Sequence, residues 1–529
     1  MSVSALPINQ PRQNHRAVPL VCSLFAIAVP ACSHWARQDL PTPQVVESRH
    51  PDRIRVTRRD GRLIVFLAPQ VAGDSLVGTA EDATTGTRTA RYGIPLADVR
   101  EVAVRRVNVG ATIALAAGVG LTAAVVAAAA SGSSSPRSSG GGGNGGSYCD
   151  YCYSCPLVYS WDGVDWRLDS GTFGGAIVRA LQRTDVDNLD AAKAERGVLR
   201  LDARNELSET DFIDRLAVVA VDHDTGTSVA PDAEGRLHGL GRLLPPIRAT
   251  DLDGRDVLPR VRETDEWRWE SVPRRRNPAD TTELRDGIEL VFPRPAGTGL
   301  VRLVVDAQNT PWAAYLLGEF VRAHGSATGA WYDSLDASPA RARRLGALLA
   351  SQAFLRADVA TPAGWRPVGL FWEAGPEIAK RQVLAFDASG LPGDTIRVRL
   401  ESAPSFWLID RVALDVGPEP TFLEQELALI SARDRAGRDV RSQLEAIDGR
   451  YLTLEPGDGA ELRFRDPPRT TGRRSYLLRS TGWYRLHTPA DDRGDPALLA
   501  RVTDDPWGVS RASVAAMNDA LATMASGSW

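Results

Sequence analysis

The segment VLAFDASGLPGDTIRVRLESAPSFWLIDRVALDVG, residues 383–417, carries three runs rich in apolar side chains, and the middle run, TIRVRLES at 395–402, alternates apolar with polar residues. Strict alternation over five to eight residues is typical of a β-strand with one buried face. The pattern predicts strands at 382–387, 394–402 and 406–416. Glycine and proline between the first two runs indicate a turn. This segment therefore predicts an antiparallel sheet.

Similar patterns on both sides extend the β prediction. Strands are predicted at residues 198–205, 214–223 and 299–307, and in a final unit at 450–454, 460–464 and 475–478. A 3.6-residue apolar period predicts a few helices, at 316–324, 339–355 and 509–524. The expected fold class is mainly β and multi-domain, with a small β-barrel, a flexible linker and then β-sandwich or jelly-roll-like domains with a few helices.

Two segments resemble known β architectures. The aromatic and "IDRVAL" strand that close residues 383–417 resemble the last strands of jelly-roll or carbohydrate-binding sandwiches. Near the N-terminus, RVTRRDGRLIVF (55–66), GDSLVG (73–78) and RYGIPLADVREVAVRRV (91–107) resemble small SH3-like or Sm-like barrels. An Asp-Gly turn at 60–61 predicts a hairpin there. These resemblances imply folds and no catalytic residues.

The N-terminal apolar run AVPLVCSLFAIAVPA, residues 17–31, follows two arginines and ends at Cys32. A positive segment, about 15 apolar residues and a small residue before the break are typical of a secretory signal. VPAC at 29–32 resembles the lipobox of bacterial lipoproteins, which implies that Cys32 is diacylated and becomes the mature N-terminus. Ser33, a non-acidic residue, then implies sorting to the outer membrane. A secreted or periplasmic protein with an incidental Cys32, and an uncleaved N-terminal anchor, are the alternatives.

A second apolar segment, residues 109–130, contains no charged side chain and is long enough to cross a bilayer. It is rich in alanine and glycine, and it fits a membrane span, a membrane-associated hairpin or a buried helix. We expect it to associate with the membrane. Residues 131–147 are almost all glycine and serine and predict a flexible linker.

These boundaries predict seven segments. They are a signal peptide with the lipobox-like Cys32 at 1–32, a small SH3-like β unit at 33–108, the apolar segment at 109–130, the linker at 131–147, a β-rich domain at 148–310, a helix with a jelly-roll-like β region at 311–418, and a C-terminal β unit with a terminal helix at 419–529.

Three cysteines, Cys149, Cys152 and Cys155, are the most specific local pattern in the chain. Cysteines separated by two intervening residues and a following proline resemble ferredoxin-type runs, but the fourth cysteine of those runs is missing. In an exported protein, a disulfide or structural thiol is the preferred interpretation. A structural metal with a distant fourth ligand, and a redox role, are the alternatives.

Aromatic side chains offer another candidate site. Trp267 and Trp269 are two residues apart and predict two rings on one side of a strand, as a platform for stacking against a ligand would need. The alternative is that they fill a β-sandwich core. Asp222-His223-Asp224 could support acid–base chemistry, although a turn in contact with solvent explains the same residues.

The composition and the motifs that are missing exclude several classes of function. The 62 Lys and Arg residues nearly balance the 66 Asp and Glu residues, for a net charge of −4, so we expect no nucleic-acid partner. The chain has no phosphate loop, dinucleotide fingerprint or nucleophile elbow, and we expect no cofactor. The sequence favours a non-enzymatic binding or structural lipoprotein of the cell envelope. Its partners would be the membrane, through the lipid anchor and residues 109–130, and an envelope protein or glycan. An exported enzyme of hydrolase type is the alternative.

Overall fold

The structure is a computed structural model, which describes residues 33–38, 42–43, 46, 53–59, 63–82, 88–107, 155–265, 267–470, 472–488 and 493–526. The chain divides into two compact units, residues 1–112 with 523–529, and residues 113–522. We describe each unit by itself. As the strand patterns predict, the described fold is mainly β with several sheets and few helices.

The first unit contains one six-stranded antiparallel sheet, in the order β1-β6-β2-β3-β4-β5. Its strands are β1 (Ser33–Gln38), β2 (Arg53–Arg58), β3 (Leu63–Ala72), β4 (Ser75–Asp82), β5 (Arg88–Pro95) and β6 (Val99–Val107). Alternate residues such as Ile54, Phe66 and Leu76 are fully buried in its core. Pairing of β2 with β3 confirms the hairpin predicted from the Asp-Gly turn.

The second unit contains 22 described strands, and wherever two of these strands are hydrogen-bonded neighbours they run antiparallel. They are β7 (Leu157–Trp161), β8 (Trp166–Gly171), β9 (Arg183–Asn188), β10 (Val198–Arg204), β11 (Glu209–His223), β12 (Ser228–Pro231), β13 (Leu237–Leu240), β14 (Leu243–Leu244), β15 (Arg248–Asp251), β16 (Trp269–Glu270), β17 (Asp286–Pro293), β18 (Leu300–Asn309), β19 (Leu355–Thr361), β20 (Gly364–Phe371), β21 (Lys380–Asp387), β22 (Thr395–Ser402), β23 (Trp407–Asp415), β24 (Phe422–Glu426), β25 (Ala428–Asp434), β26 (Leu452–Leu454), β27 (Gly459–Arg465) and β28 (Arg473–Leu486).

Four larger sheets form two sandwiches. In the first sandwich, the sheet β25-β27-β10-β7-β8 packs on the sheet β24-β11-β28-β9, and Leu201, Phe464 and Val218 are buried between them. In the second sandwich, the sheet β14-β23-β18-β21 packs on β15-β17-β22-β19-β20, around residues such as Val305 and Val398. The hairpin of β12 and β13 contributes apolar side chains to clusters with strands of both sandwiches.

Six described α-helices begin in the second unit, and the last of them extends beyond residue 522. They are α1 (Leu258–Val261), α2 (Pro311–Arg322), α3 (Thr328–Asp336), α4 (Pro339–Gln352), α5 (Pro496–Asp504) and α6 (Gly508–Ser526). Three of them, α2, α4 and α6, were predicted from the apolar period. None of the helices in the described residues is long and apolar enough to cross a membrane, and the apolar segment 109–130 lies outside those residues.

The sheets do not follow the three downstream segments predicted from the sequence. Strands from 148–310 and from 419–529 alternate in both sheets of the first sandwich, since β10 pairs with β27 and β11 pairs with β28. The three strands of 383–417 are present, as β21, β22 and β23, but they belong to two different sheets. Chain order therefore does not give the boundaries within the second unit.

Candidate functional site

An apolar cavity lies among helices α2, α4, α5 and α6 of the second unit. The space between its lining atoms is about 820 Å³ when the part that is open to solvent is counted. Its walls are mainly aliphatic, and six leucines contribute to them: Leu316, Leu317, Leu345, Leu348, Leu349 and Leu498. We call this cavity the apolar pocket. An apolar cavity with a few converging polar groups is the usual form of a small-molecule site.

Three of the helices around the pocket, α2, α4 and α5, begin at residues whose side chains cap them. The hydroxyl of Thr310 accepts a hydrogen bond from the Ala313 amide at 3.1 Å. Asp495 accepts one from the Leu498 amide at 2.9 Å, and Ser338 caps α4. In each case proline follows in the first turn, where its missing N–H costs no helical hydrogen bond. These caps fix where the pocket walls start.

One end of the apolar pocket is polar. It is formed by Cys155, the Gly174–Gly175 backbone, Glu373 and Tyr484. The Gly175 amide donates a hydrogen bond to the Tyr484 hydroxyl at 3.1 Å. Gly175 has φ +76°, and a Cβ there would overlap the carboxylate of Glu373. Glycine at this position therefore allows the carboxylate to lie against the backbone.

Glu373 is an acidic group whose charge is sensitive to pH near neutrality. Burial raises its pKa to about 7, the Arg183 guanidinium lowers it, and the Asp185 carboxylate raises it. Arg183 itself donates to Asp185 at 2.7 Å and lies over the Trp372 ring at 5.0 Å. Because Arg183 is already paired with Asp185, it neutralises Glu373 only in part.

Cys155 is held in a strained position beside the pocket. Its φ is +114°, a region that residues with a Cβ rarely adopt, and its amide donates to Glu209 Oε1 at 2.9 Å. Burial raises the pKa of its thiol well above the usual value, and the carboxylates of Glu377 and Glu209 raise it further. A neutral thiol is a poor nucleophile and a poor metal ligand.

Glu209 and Asp211 form a buried acidic pair behind Cys155. They are two residues apart on β11, so their side chains point to the same face of the sheet. Their exposed fractions are 1% and 0%. Burial raises the pKa of Glu209 to about 8, and burial and the Glu209 charge raise that of Asp211 well above its usual range. The pair is therefore expected to keep at least one proton at neutral pH.

A buried ionic cluster joins the two sandwiches next to this end of the pocket. The Lys380 ammonium on β21 lies 3.0 Å from Asp187 Oδ1 and 3.4 Å from Asp185 Oδ2, both on β9. Ser170 donates to Asp187, and Arg183 pairs with Asp185. Burial lowers the pKa of Lys380, but the two carboxylates outweigh it and raise that pKa overall. We call these residues the Lys380 cluster.

A second cavity, of about 780 Å³ with its solvent-open part, shares the lining residues Phe320, Leu345 and Leu348 with the apolar pocket. Arg341, Arg344 and Asp504 line it together with apolar residues. Both arginines are exposed. Its chemistry therefore differs from that of the apolar pocket, because it places positive charge in contact with solvent.

The two tryptophans predicted as a stacking pair lie in different surroundings. Trp267 is 37% exposed, and the Arg260 guanidinium lies 5.2 Å from its ring centre. Trp269 is only 4% exposed and is packed in the core of the second sandwich, where β16 pairs with Ile409 of β23. The expectation of two rings offered to a ligand is wrong for Trp269, because burial in the core leaves its ring no free face.

The structure bears on only one of the cysteines singled out in the sequence. Cys32, Cys149 and Cys152 lie outside the described residues. Cys155 is buried and has no disulfide partner among the residues that the structure describes. Within the described part of the chain, no group of three or more His, Cys, Asp or Glu side chains is arranged to hold a metal ion.

The Asp222-His223-Asp224 sequence is held by structural hydrogen bonds. Asp222 and His223 are buried. The Asp222 carboxylate pairs with Arg474, and the His223 ring lies 2.9 Å from the Ser475 hydroxyl. Both partners belong to β28, which pairs with β11. These contacts join two strands and explain the residues without acid–base chemistry.

Reasoning from the sequence missed Glu373, Tyr484, the acidic pair and the Lys380 cluster. Some signals were present. Lys380 is one of only two lysines, and it lies just before the apolar run 383–386. Glu209 and Asp211 occupy alternate positions at the start of a strand that becomes fully apolar. Two acids on one face of a buried strand indicate a shared proton or a cationic partner.

No known protein-family model matches this chain, and no curated protein sequence is similar to it.

Proposed function

We propose that this chain is a non-enzymatic binding lipoprotein of the cell envelope, anchored to the outer membrane through Cys32. Its second unit binds an apolar small molecule in the apolar pocket. The observation that carries the binding role is the pocket itself, in which six leucines surround a space with few polar groups. Burying an aliphatic chain in such a space contributes about 0.8 kcal/mol per CH₂ group.

The groups at the polar end favour binding over covalent chemistry. The Cys155 thiol is neutral because burial and nearby carboxylates raise its pKa. The acidic pair is buried, and the carboxylates of the Lys380 cluster are already paired with Lys380 and Arg183. An enzyme would instead need a nucleophile or base that can reach a substrate.

A probe-displacement experiment tests the binding role. The full chain carrying Cys32→Ala is titrated with N-phenyl-1-naphthylamine, an uncharged dye that fluoresces in apolar surroundings. Ala313 lines the pocket, so we expect Ala313→Trp to fill it and to weaken dye binding at least about tenfold. Ala347→Trp, at an exposed position of α4 outside the pocket lining, is the matched control. Equal binding by both variants would reject the pocket as the site.

The anchor is tested separately by labelling cells with an alkyne analogue of palmitate. We expect the chain to be labelled and Cys32→Ala to abolish the label. A label that persists in the variant contradicts the lipoprotein assignment but leaves the pocket's binding role intact.

An exported hydrolase is the second candidate, and one observation favours it. Glu373 has a pKa of about 7 and lines the pocket, as a general base at neutral pH would. This candidate predicts hydrolysis of an apolar ester that Glu373→Gln reduces by about 100-fold or more. Dye binding without any hydrolysis in such a screen supports the binding role instead.

A further inference from the structure

The charges that line the apolar pocket have one sign. Among its described lining residues, Glu319 and Glu373 are acidic and none is arginine or lysine. Glu319 forms an ion pair with Arg322 at 2.6 Å, one turn along α2. Glu373 is therefore the acidic group that is available to a ligand. Burial and nearby charges account for its pKa shift, without a hydrogen bond from the described residues.

Resting on the binding role proposed above, we propose that the ligand is an aliphatic amine, with its chain along the leucines and its ammonium group paired with the Glu373 carboxylate. An ammonium group carries three hydrogen-bond donors and the charge opposite to that of Glu373. Such charge-assisted hydrogen bonds are about twice as strong as neutral ones. The aliphatic walls and the acidic end therefore match the two parts of one molecule.

A ligand with a carboxylate head fits this pocket poorly. Its negative charge would lie beside Glu373, and one of the two acids would have to take up a proton. The Glu377 carboxylate near Cys155 adds to the same negative field. An alcohol of equal length avoids this repulsion but also lacks the ion pair, so it should bind with intermediate affinity.

The second cavity suggests the opposite head group. Arg341 and Arg344 could hold a carboxylate there, while a chain extended toward the shared wall of α4. Both arginines are exposed, however, and ion pairs in contact with water contribute only about 0–1 kcal/mol. Glu373 is partly buried, so water screens its charge less. This difference favours the amine at the acidic end.

The test compares three ligands of one chain length. Dodecylamine, dodecanol and dodecanoate, each below its micelle concentration, displace N-phenyl-1-naphthylamine from the full chain carrying Cys32→Ala. At pH 8 we expect the amine to bind about tenfold more tightly than the alcohol, and the carboxylate to bind weakest. Between pH 6 and pH 8 the amine should gain affinity as Glu373 loses its proton, because an alkylamine with a pKa of about 10 stays charged throughout. The alcohol should change little.

Two variants identify the group responsible. Glu373→Gln keeps the shape of the side chain and should remove both the amine preference and its pH dependence, while dodecanol still binds. Glu263→Gln, an exposed acid, is the control and should behave as the parent chain. The pH titration of the parent chain tests the proposal even if Glu373→Gln fails to fold.

The outcomes separate this inference from the proposed function. Equal affinity for the three ligands would overturn the amine inference and leave the apolar binding role standing. Tightest binding of dodecanoate, lost in Arg341→Ala, would place the head group in the second cavity and also overturn it. No binding of dye or of any ligand would reject the proposed function and this inference together.

Discussion

Single residues at the polar end of the apolar pocket are held in protonation states that water would not favour. Burial raises the pKa of Glu373 to about 7 and that of Glu209 to about 8. The energy for these shifts comes from the folded structure, so the same groups must make stability depend on pH. Perturbed acids of this kind are common at functional sites.

The sign of that dependence follows from proton binding. An unfolded chain releases the Glu209 proton near pH 4.5, whereas the folded chain keeps it until about pH 8. Between these values the folded state binds more protons, so stability falls as pH rises. The contribution of Glu209 to the stability of the folded chain is fully present below pH 4.5 and is lost by about pH 8.

We expect Glu209→Gln to remove most of this pH dependence. Glutamine resembles the protonated acid, and its Oε1 can still accept the Cys155 amide hydrogen bond. At pH 8 the free energy of unfolding should increase, by as much as about 5 kcal/mol if the full shift is recovered. Urea unfolding at pH 5 and pH 8 measures this, with Glu263→Gln as the exposed control. Parallel pH curves for parent and Glu209→Gln would show that Glu209 is not the group that titrates.

Gly175→Ala tests the close contact between backbone and carboxylate. A left-handed φ costs a residue with a Cβ about 1–2 kcal/mol, and at Gly175 the new methyl would also overlap Glu373. Gly297 has nearly the same φ, +77°, with open space where its Cβ would lie. We therefore expect Gly175→Ala to destabilise the chain by at least about 1 kcal/mol more than Gly297→Ala, as measured by urea unfolding. Equal losses would mean that only backbone strain matters at Gly175.

Two strands from different sandwiches, β9 and β21, meet at the Lys380 cluster. Removing one partner from a buried ion pair costs about 3–5 kcal/mol, because it leaves the other charges without compensation. We expect Lys380→Met to destabilise the second unit by about this amount, since Asp187 loses its cation and Asp185 keeps only Arg183. Lys193, the only other lysine in the chain, is exposed. Lys193→Met is the matched control and should change thermal stability little; a similar loss for both variants would contradict a special role for Lys380.

Local sequence predicted which residues form strands, but it did not predict the Lys380 cluster. Alternation marked β10, β18 and β22 almost to their ends, because half-buried strands impose a two-residue period. Lys380 and Asp187 are nearly two hundred positions apart, and nothing in a two-residue period tells which strands become neighbours. The apolar pocket was hidden for the same reason, since its walls come from helices brought together by the sheets.

The whole second unit depends on strands that are far apart in the chain. β10 pairs with β27 over seven residues, from Val198 with Arg465 to Arg204 with Gly459. The two long strands β11 and β28 pair along most of their length. The sequence indicated turns and linkers, which mark where strands end, but not this return of the chain to the first sandwich. Composition therefore predicts segment boundaries at 310 and 418, but both sheets of the first sandwich contain strands from before the first boundary and after the second.

Deleting residues 419–529 should consequently damage the two sandwiches unequally. The first sandwich loses β24 to β28, whereas all ten strand partners of the second sandwich lie between Leu243 and Asp415 and are retained. We expect peptides from β10 and β11 to lose at least about 100-fold protection in amide hydrogen exchange, because they keep few hydrogen-bonded neighbours. Peptides from β17 and β22, which pair with each other over eight residues, serve as the internal control and should keep more protection. Undiminished protection of β10 in the shortened chain would mean that its pairing with β27 contributes little to the fold, and that residues 155–418 form a sandwich without the C-terminal strands.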